Sequence, residues 1–143
     1  MSDAILKRAS KFWSDRSRDG QTPSRQELDL TSAGDLLAYL VLSEALGEDG
    51  EYRHEHAGDS AEALLGAPIS SAAANANGDC VQSWRSGLDV VRATGAPHAT
   101  TFASANGEKE IRALYLPVVR RRDERRPRFV LSVLAEADEN AQR

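Results

Sequence analysis

Apolar residues near the N-terminus recur at helical spacing. They follow the i, i+4, i+7, i+8 pattern of one helix face, while charged residues occupy the rest of the wheel. The pattern predicts an amphipathic helix over residues 3–17, which Gly20 and Pro23 then end. The aromatic side chains on this helix need a surface to cover, which is either the sheet of the same chain or a partner helix in a dimer. The apolar face consists of Ile5, Leu6, Ala9, Phe12 and Trp13.

The next apolar segments predict a short helix and then a β-hairpin. A helical turn is expected up to about Leu37, and the run of leucines and β-formers at 38–46 predicts a strand. The letters "GEDG" supply a tight turn, and a second strand follows at 51–57. A single continuous helix over 32–46 is the alternative, because Leu and Ala also favour helix.

Two helices with glycine stops are predicted in the middle of the chain. The first begins at Asp59 or Ser60 and ends at Gly66. The second, firmer helix is capped by Asp79 and ends before Gly95, a residue type that suits the position just past a helix. Apolar residues at i, i+3, i+7 and i+10 form its stripe: Val81, Trp84, Leu88 and Val91.

The last third of the chain has the pattern of β-strands. Asn106-Gly107, the strongest short-range hairpin signal, lies between "HATTFAS" and "EKEIRALYLPVV". Pairing across this turn places Pro117 opposite Ala96, where the preceding strand is only starting and a proline costs no ladder bond. After the turn "RRRDERR", a last strand is predicted with one face made of Phe129, Leu131 and Val133.

The order of these elements predicts an α+β fold. Two leading and three trailing strands around a helical middle indicate a five-stranded antiparallel sheet with helices packed on one face. The length of 143 residues fits one domain. We expect the N-terminal amphipathic helix and a linker over 1–22, the main domain over 23–137 and a polar tail over 138–143.

This order is also that of a PAS domain, and several segments strengthen the match. The chain resembles a family of small stand-alone bacterial PAS-like proteins over roughly residues 10–136. The resemblance rests on Trp13 and on "PSRQELD", "DLLAYLVL", "YRHEHAG", "LLGAPIS", "GAP" and "LYLPVV". It implies a sheet of order 2-1-5-4-3, preceded here by the additional N-terminal helix.

The resemblance also implies a function class. Such domains bind a small ligand between sheet and helices, or act by partner docking and dimerisation. We therefore expect a non-catalytic sensory or protein-interaction domain of bacterial signalling, with a protein partner or a homodimer formed through the N-terminal helix. The alternative is a small-molecule-binding α+β enzyme or carrier with a pocket in the same place. Candidate pocket residues are Tyr52, His54, His56, Trp84, Leu88, Val91, Phe102, Tyr115 and Leu131, and candidate interaction residues are Ile5, Phe12, Trp13, Arg120, Arg121 and Arg122.

Two histidines give the second strand its most distinctive chemistry. Strand alternation places His54 and His56 on the same face as Tyr52, and histidines at i, i+2 can share a metal. The remaining histidine, His98, starts the third strand, which lies at the opposite edge of a 2-1-5-4-3 sheet. No metal site is therefore predicted. A role in a ligand pocket or in pH sensing, and a simple polar edge strand, both remain open.

The cofactor is left unknown. Flavin photosensors of the PAS superfamily carry a cysteine directly after an asparagine and before an arginine–phenylalanine pair, and the residues around Cys80, "GDCVQ", do not fit. Axial histidines of haem-binding PAS domains come from a central helix, and 59–97 contains no histidine. Flavin adduct formation and haem are both disfavoured.

The composition indicates in which cellular compartment the protein works. The chain is 41% hydrophobic and 28% charged, has one cysteine, and lacks both an apolar run of membrane-spanning length and a signal-peptide core. These features predict a cytoplasmic protein without a membrane partner.

No catalytic motif is present. Residues 31–80 hold nine acids and one base, whereas 109–128 hold eight bases and three acids. This asymmetry suits self-association or a charged partner. Nucleic acid is disfavoured as that partner, because the protein is acidic overall (pI ≈ 5.4) and no aromatic residues interleave the arginines.

Overall fold

The computed structural model describes residues 2–17, 21–46, 51–66, 79–104, 107–121 and 126–137. Three α-helices, one 3₁₀ segment and five strands follow one another in these ranges. The helices are α1 (Ser2–Asp15), α2 (Asp59–Leu65) and α3 (Asp79–Thr94), and the 3₁₀ segment is Leu30–Tyr39. The strands are β1 (Leu40–Ala45), β2 (Tyr52–Ala57), β3 (His98–Ala103), β4 (Glu110–Val118) and β5 (Phe129–Glu136).

The strands form one antiparallel sheet of order β2-β1-β5-β4-β3. This confirms the predicted α+β fold and the strand order that the resemblance to PAS domains implied. The register of β3 on β4, with His98 opposite Tyr115, is the one set by an Asn-Gly turn. Asn106 lies outside the described residues, and Gly107 adopts φ 75°. β3 begins two residues after Ala96, so Pro117 interrupts no bond to it.

The alternative of one continuous helix over 32–46 is wrong. The 3₁₀ segment is interrupted at Gly34, whose φ of 62° and ψ of −130° are not helical, and extended backbone begins at Leu40. Asp29 caps the segment by accepting a hydrogen bond from the Thr31 amide. The leucines that follow are all buried in β1, where both faces of the strand are covered.

The sheet separates two hydrophobic cores. Its inner face, defined here as the face against α2 and α3, contributes residues such as Val41, Tyr115 and Val130. Its outer face, against α1 and the 3₁₀ segment, contributes residues such as Leu40 and Leu131. The prediction of helices on one face therefore describes α2 and α3, and the additional N-terminal helix covers the opposite face. Both sides of β5 are buried, which explains why its sequence is almost continuously apolar.

Helix α1 packs on the sheet of its own chain. Ala9 and Phe12 are buried in the outer core, and the indole Nε1 of Trp13 donates to the backbone oxygen of Pro117 at 2.8 Å. Exposed ion pairs join Arg8 to Asp35 and Arg112 to Asp3. Of the two surfaces predicted for the aromatic face of this helix, the sheet is the one observed.

Candidate functional site

The centre of the inner core is filled by two aromatic side chains, Trp84 on α3 and Tyr115 on β4. Both are fully buried. The Tyr115 hydroxyl donates to the backbone oxygen of Trp84 at 2.9 Å, and Trp84 Nε1 donates to the Ser132 hydroxyl at 3.0 Å. Ser132 in turn donates to the Val41 carbonyl at 3.3 Å. These bonds satisfy the buried polar groups of both rings and tie α3 to three strands.

A glycine on α3 makes room for the tyrosine ring. A Cβ atom built on Gly87 would lie 2.2 Å from Tyr115 Cζ, far inside van der Waals contact. The ring therefore rests directly on the helix backbone. Burial raises the pKa of the Tyr115 hydroxyl, so this hydroxyl stays protonated and acts as a donor.

His54, on β2, points to the inner face of the sheet and contacts β1 and α3. Its Nδ1 is hydrogen-bonded to the buried Ser43 hydroxyl at 2.8 Å, and its ring packs on Trp84 with a centroid distance of 5.1 Å. Burial, together with the positive charge of Arg85, lowers the pKa of His54 to about 4. The imidazole is therefore neutral at physiological pH and behaves as a polar member of the core.

Tyr52 also faces α3. Its hydroxyl donates to Asp89 Oδ1 at 2.5 Å, which joins the edge strand β2 to the flank of the helix. Burial is the main cause that raises the Tyr52 pKa, and the Asp89 carboxylate adds to it. Tyr52, His54 and Trp84, three of the candidate pocket residues, thus lie together at the β2 side of α3.

His56 does not join them, and the prediction that it shares a face with Tyr52 and His54 is wrong. Leu42 pairs with His56 and Ser43 with His54, so Glu55 has no partner on β1. This extra residue is a β-bulge, which breaks the strict alternation of side chains. After the bulge His56 shares the side of Leu42, an outer-core residue, and its Nε2 is hydrogen-bonded to the Leu37 carbonyl at 2.9 Å.

The other candidate pocket residues divide between the two faces. Leu88 and Val91 are fully buried in the inner core, and Phe102 is partly buried against it. Leu131 belongs to the outer core, so its prediction as a neighbour of Trp84 is wrong: it alternates with Val130 and Ser132, which point inward. The inner-face residues have the geometry of a packed core in the described ranges, and their ligand-binding role stays a prediction.

His98 is far from the other two histidines in the sheet order. Its ring stacks on Tyr115 with a centroid distance of 5.8 Å, on β3 at the edge opposite β2. Within the described ranges, no three His, Cys, Asp or Glu side chains lie close enough together to share a metal ion. Cys80 is a partly buried free thiol whose Sγ points at the Leu64 carbonyl, and burial raises its pKa, so it is not activated as a nucleophile.

The candidate interaction residues lie in two separate places. Phe12 is buried under α1, whereas Ile5 and Trp13 are partly buried at the border of the outer core. Arg120 and Arg121 are exposed after the end of β4, and Arg122 lies outside the described residues. A neighbouring ion-pair cluster holds Glu44, which contacts Arg53 and lies 3.1 Å from the Arg128 Nε.

Three residues that contribute to the inner core were not identified from the sequence. Ser43 and Ser132 are polar residues inside apolar strands, and each is the hydrogen-bond partner of a predicted site residue. Their position within such runs was the available signal, because a buried hydroxyl needs a partner. Gly87 gave the third signal: a glycine inside a helix usually marks a close contact.

Comparison with known proteins adds little to this geometry. No family model matches the chain, and no curated protein matches it significantly. Among solved structures, the chain is similar to the crystal structure of a LOV protein from Rhodobacter sphaeroides. The identity is 15%, the alignment covers 96% of this chain and 70% of that chain, and the TM-score is 0.49. A likeness of this degree does not extend to function.

None of the helices in the described part of the chain combines the length and the apolar character needed to cross a bilayer.

Proposed function

We propose that the chain is a PAS-type sensory or interaction domain of bacterial signalling, which acts in the cytoplasm by association and without catalysis. The strand order supports the fold class. The observation that carries the proposal is the docking of α1 on the outer face of the sheet, directly behind the inner core. In the proposed mechanism α1 is the element that moves, and the inner core on the other side of the sheet is the part that responds.

Helix α1 docks through a single apolar face, whose five side chains lie in or against the outer core: Ile5, Leu6, Ala9, Phe12 and Trp13. Ala9 and Phe12 are the buried apolar residues of the helix, and Trp13 makes one hydrogen bond to the sheet. The ion pairs of Arg8 and Arg112 are largely exposed, and solvent and salt screen such pairs, so they add little to docking. A helix of 14 residues is marginal when isolated. We expect undocking of this terminal helix to cost less free energy than global unfolding, so that a partner can shift the equilibrium.

Strand β5 connects the two sides. Ser132, on its inner face, holds the Trp84 indole, while its neighbours Leu131 and Val133 pack in the outer core with α1. Because the sheet is one layer thick, a change in the Trp84 contacts displaces residues that α1 rests on. This gives the domain a short mechanical route from core to helix.

The filled inner core favours control by a partner over control by an enclosed ligand. Trp84 and Tyr115 occupy the centre of the space between sheet and helices; the Tyr115 hydroxyl donates to the Trp84 backbone oxygen on α3, and the Trp84 indole donates to Ser132 on β5. An enzyme or carrier would require convergent polar groups around an open pocket. The described inner-face residues instead satisfy one another, so this alternative has no specific observation in its favour.

The test is a matched pair of substitutions on α1. Phe12→Asp places a carboxylate in the docked face, whereas Ser10→Asp places one on the exposed side of the same helix. Phe12→Asp should release α1, shift Trp13 fluorescence to longer wavelength and change the association state or the capture of a protein partner. Ser10→Asp should leave all three unchanged.

The proposal fails if Phe12→Asp releases α1 but leaves association and partner capture as in the wild type. Truncation of residues 1–19 provides a second version of the same test. Unchanged sedimentation and unchanged pull-downs in the truncated protein would contradict a role for the helix in association.

A further inference from the structure

The two edges of the sheet differ in how they are protected against strand pairing. Edge strand β2 has exposed Arg53 and Glu55 and a bulge, which are features that discourage another strand from pairing. Edge strand β3 has no Asp, Glu, Lys, Arg or Pro between His98 and Ala103, and its register on β4 is continuous. Among the described residues, no strand pairs with its free side.

The outward backbone groups of β3 can be assigned from the ladder. The Ser104 amide donates to the Lys109 carbonyl, which makes these two residues a hydrogen-bonded pair. Hydrogen-bonded and non-bonded pairs alternate along an antiparallel ladder. The N–H and C=O groups of Ala99, Thr101 and Ala103 therefore point away from β4, toward the free edge. The same three side chains are exposed on the outer face, and all are small.

This row of groups is complementary to itself. If a second copy of the chain pairs antiparallel with a two-fold axis at Thr101, Thr101 faces Thr101 of the copy. Ala99 then faces Ala103 of the copy, and by symmetry Ala103 faces Ala99 of the copy. Every outward residue of one strand thus meets an outward residue of the other, in the arrangement in which two residues exchange both bonds. A threonine pair at the centre is a favourable cross-strand pair.

Two neighbouring features also suit this edge. A shallow open groove of about 310 Å³ runs beside it on the outer face, lined by residues that include Leu6, Thr101 and Arg112. On the inner face, Asp89 marks the α3 flank that contacts β2, so by helical spacing Val90 lies on the other flank, toward β3. Val90 is one of two large apolar side chains that are exposed among the described residues.

We propose that β3 forms a homodimer interface, in which two copies of the sheet join edge to edge through symmetric pairing of Ala99, Thr101 and Ala103. A second copy fits better than a charged peptide because β3 carries no charge that would select one. It also pairs all outward groups without a register slip. This interface goes beyond the proposed function, because it joins the copies through the backbone groups of a strand edge and does not require α1 to leave the sheet.

The test uses the full chain and sedimentation velocity over a range of concentrations. The wild type should dimerise. Thr101→Lys places two ammonium groups against each other at the axis and should weaken the dimer by about 100-fold or more. Thr101→Pro removes the central outward N–H without removing a bond to β4, so it should also give a monomer. Thr101→Val retains the backbone groups and should stay dimeric, as should Gln82→Lys, which adds the same charge elsewhere.

Amide hydrogen exchange followed by NMR provides a readout that needs no variant. In the dimer the amides of Ala99, Thr101 and Ala103 should be protected, and dilution should remove that protection. The proposal is overturned if the wild type is monomeric at its highest soluble concentration. It is equally overturned if the protein is dimeric while these amides exchange freely, or if Thr101→Lys folds and remains a dimer. A dimer that only Phe12→Asp dissociates would assign association to α1 instead.

Discussion

Replacing Gly87 by alanine tests whether the inner core is as tightly filled as the contacts indicate. The added methyl group would lie 2.2 Å from Tyr115 Cζ, so the ring has to move. The ring is fully buried and its hydroxyl is bonded to the Trp84 carbonyl, which leaves it little freedom to swing aside. Gly87→Ala should therefore destabilise the protein even though alanine is the better helix former.

The magnitude follows from three terms. Overpacking a core costs about 1–3 kcal/mol, and a buried polar group that loses its hydrogen bond costs a further ~1–3 kcal/mol. The better helix propensity of alanine returns about 0.5–1 kcal/mol. We expect a net loss of about 3 kcal/mol in the free energy of unfolding, which corresponds to a fall of roughly 10 °C in Tm for a domain of this size.

Urea unfolding of a double-mutant cycle isolates the cause. In a Tyr115→Leu background the end of the ring is absent, so Gly87→Ala should become neutral or stabilising by up to about 1 kcal/mol. The account is refuted if Gly87→Ala costs less than about 0.5 kcal/mol in the wild type, or if it costs the same in both backgrounds.

Three further predictions concern other contacts. The folded pKa of His54, about 4, lies below the ordinary value of 6.5, so the unfolded state binds this proton more readily. The contribution of His54 to the free energy of unfolding is therefore fully present above pH 6.5 and is lost as pH falls toward 4, by at most about 3 kcal/mol. Urea midpoints should show this extra acid sensitivity in the wild type but not in His54→Gln. Ser132→Ala removes the hydrogen-bond partner of the Trp84 indole N–H. It should lower the free energy of unfolding, measured in urea, by about 1–3 kcal/mol and alter the near-ultraviolet circular dichroism of Trp84. An unchanged spectrum and an unchanged midpoint would contradict that bond. Gly58→Ala should prevent stable folding as judged by thermal melts, since its methyl group would lie 2.2 Å from the rigid Leu37 carbonyl oxygen, and a normal melt would show that the backbone there can yield.

Much of the fold follows from local sequence patterns. The Asn-Gly sequence at 106–107 predicts the register that β3 and β4 adopt, and the glycines after α2 and α3 mark where those helices end. The spacing of the N-terminal apolar residues predicts both α1 and its need for a surface. These signals are local because turn geometry and helix periodicity depend on neighbours in the chain.

The sequence did not show which face of the sheet each buried side chain occupies. Both faces of β5 are buried, so its apolar pattern could not show that Leu131 points away from Trp84. The bulge at Glu55 moves His56 to the other side, although the alternation of residue types in β2 looks regular. Whether a strand bulges, and which face a helix covers, depend on tertiary packing. The domain boundaries over 1–22, 23–137 and 138–143 remain predictions.

The coupling between the inner core and α1 is the central claim of the proposed function. Hydrogen-exchange mass spectrometry of the α1 segment tests it directly. Trp84→Phe removes the bond to Ser132 on β5, and Ala63→Gly, on the exposed side of α2, serves as a control that destabilises the protein by about 1 kcal/mol without contact to that bond.

The account predicts that α1 exchanges faster in Trp84→Phe than in Ala63→Gly at equal global stability. If α1 exchanges at the same rate in both variants while α3 exchanges faster in Trp84→Phe, the sheet does not transmit the change and the claim is wrong.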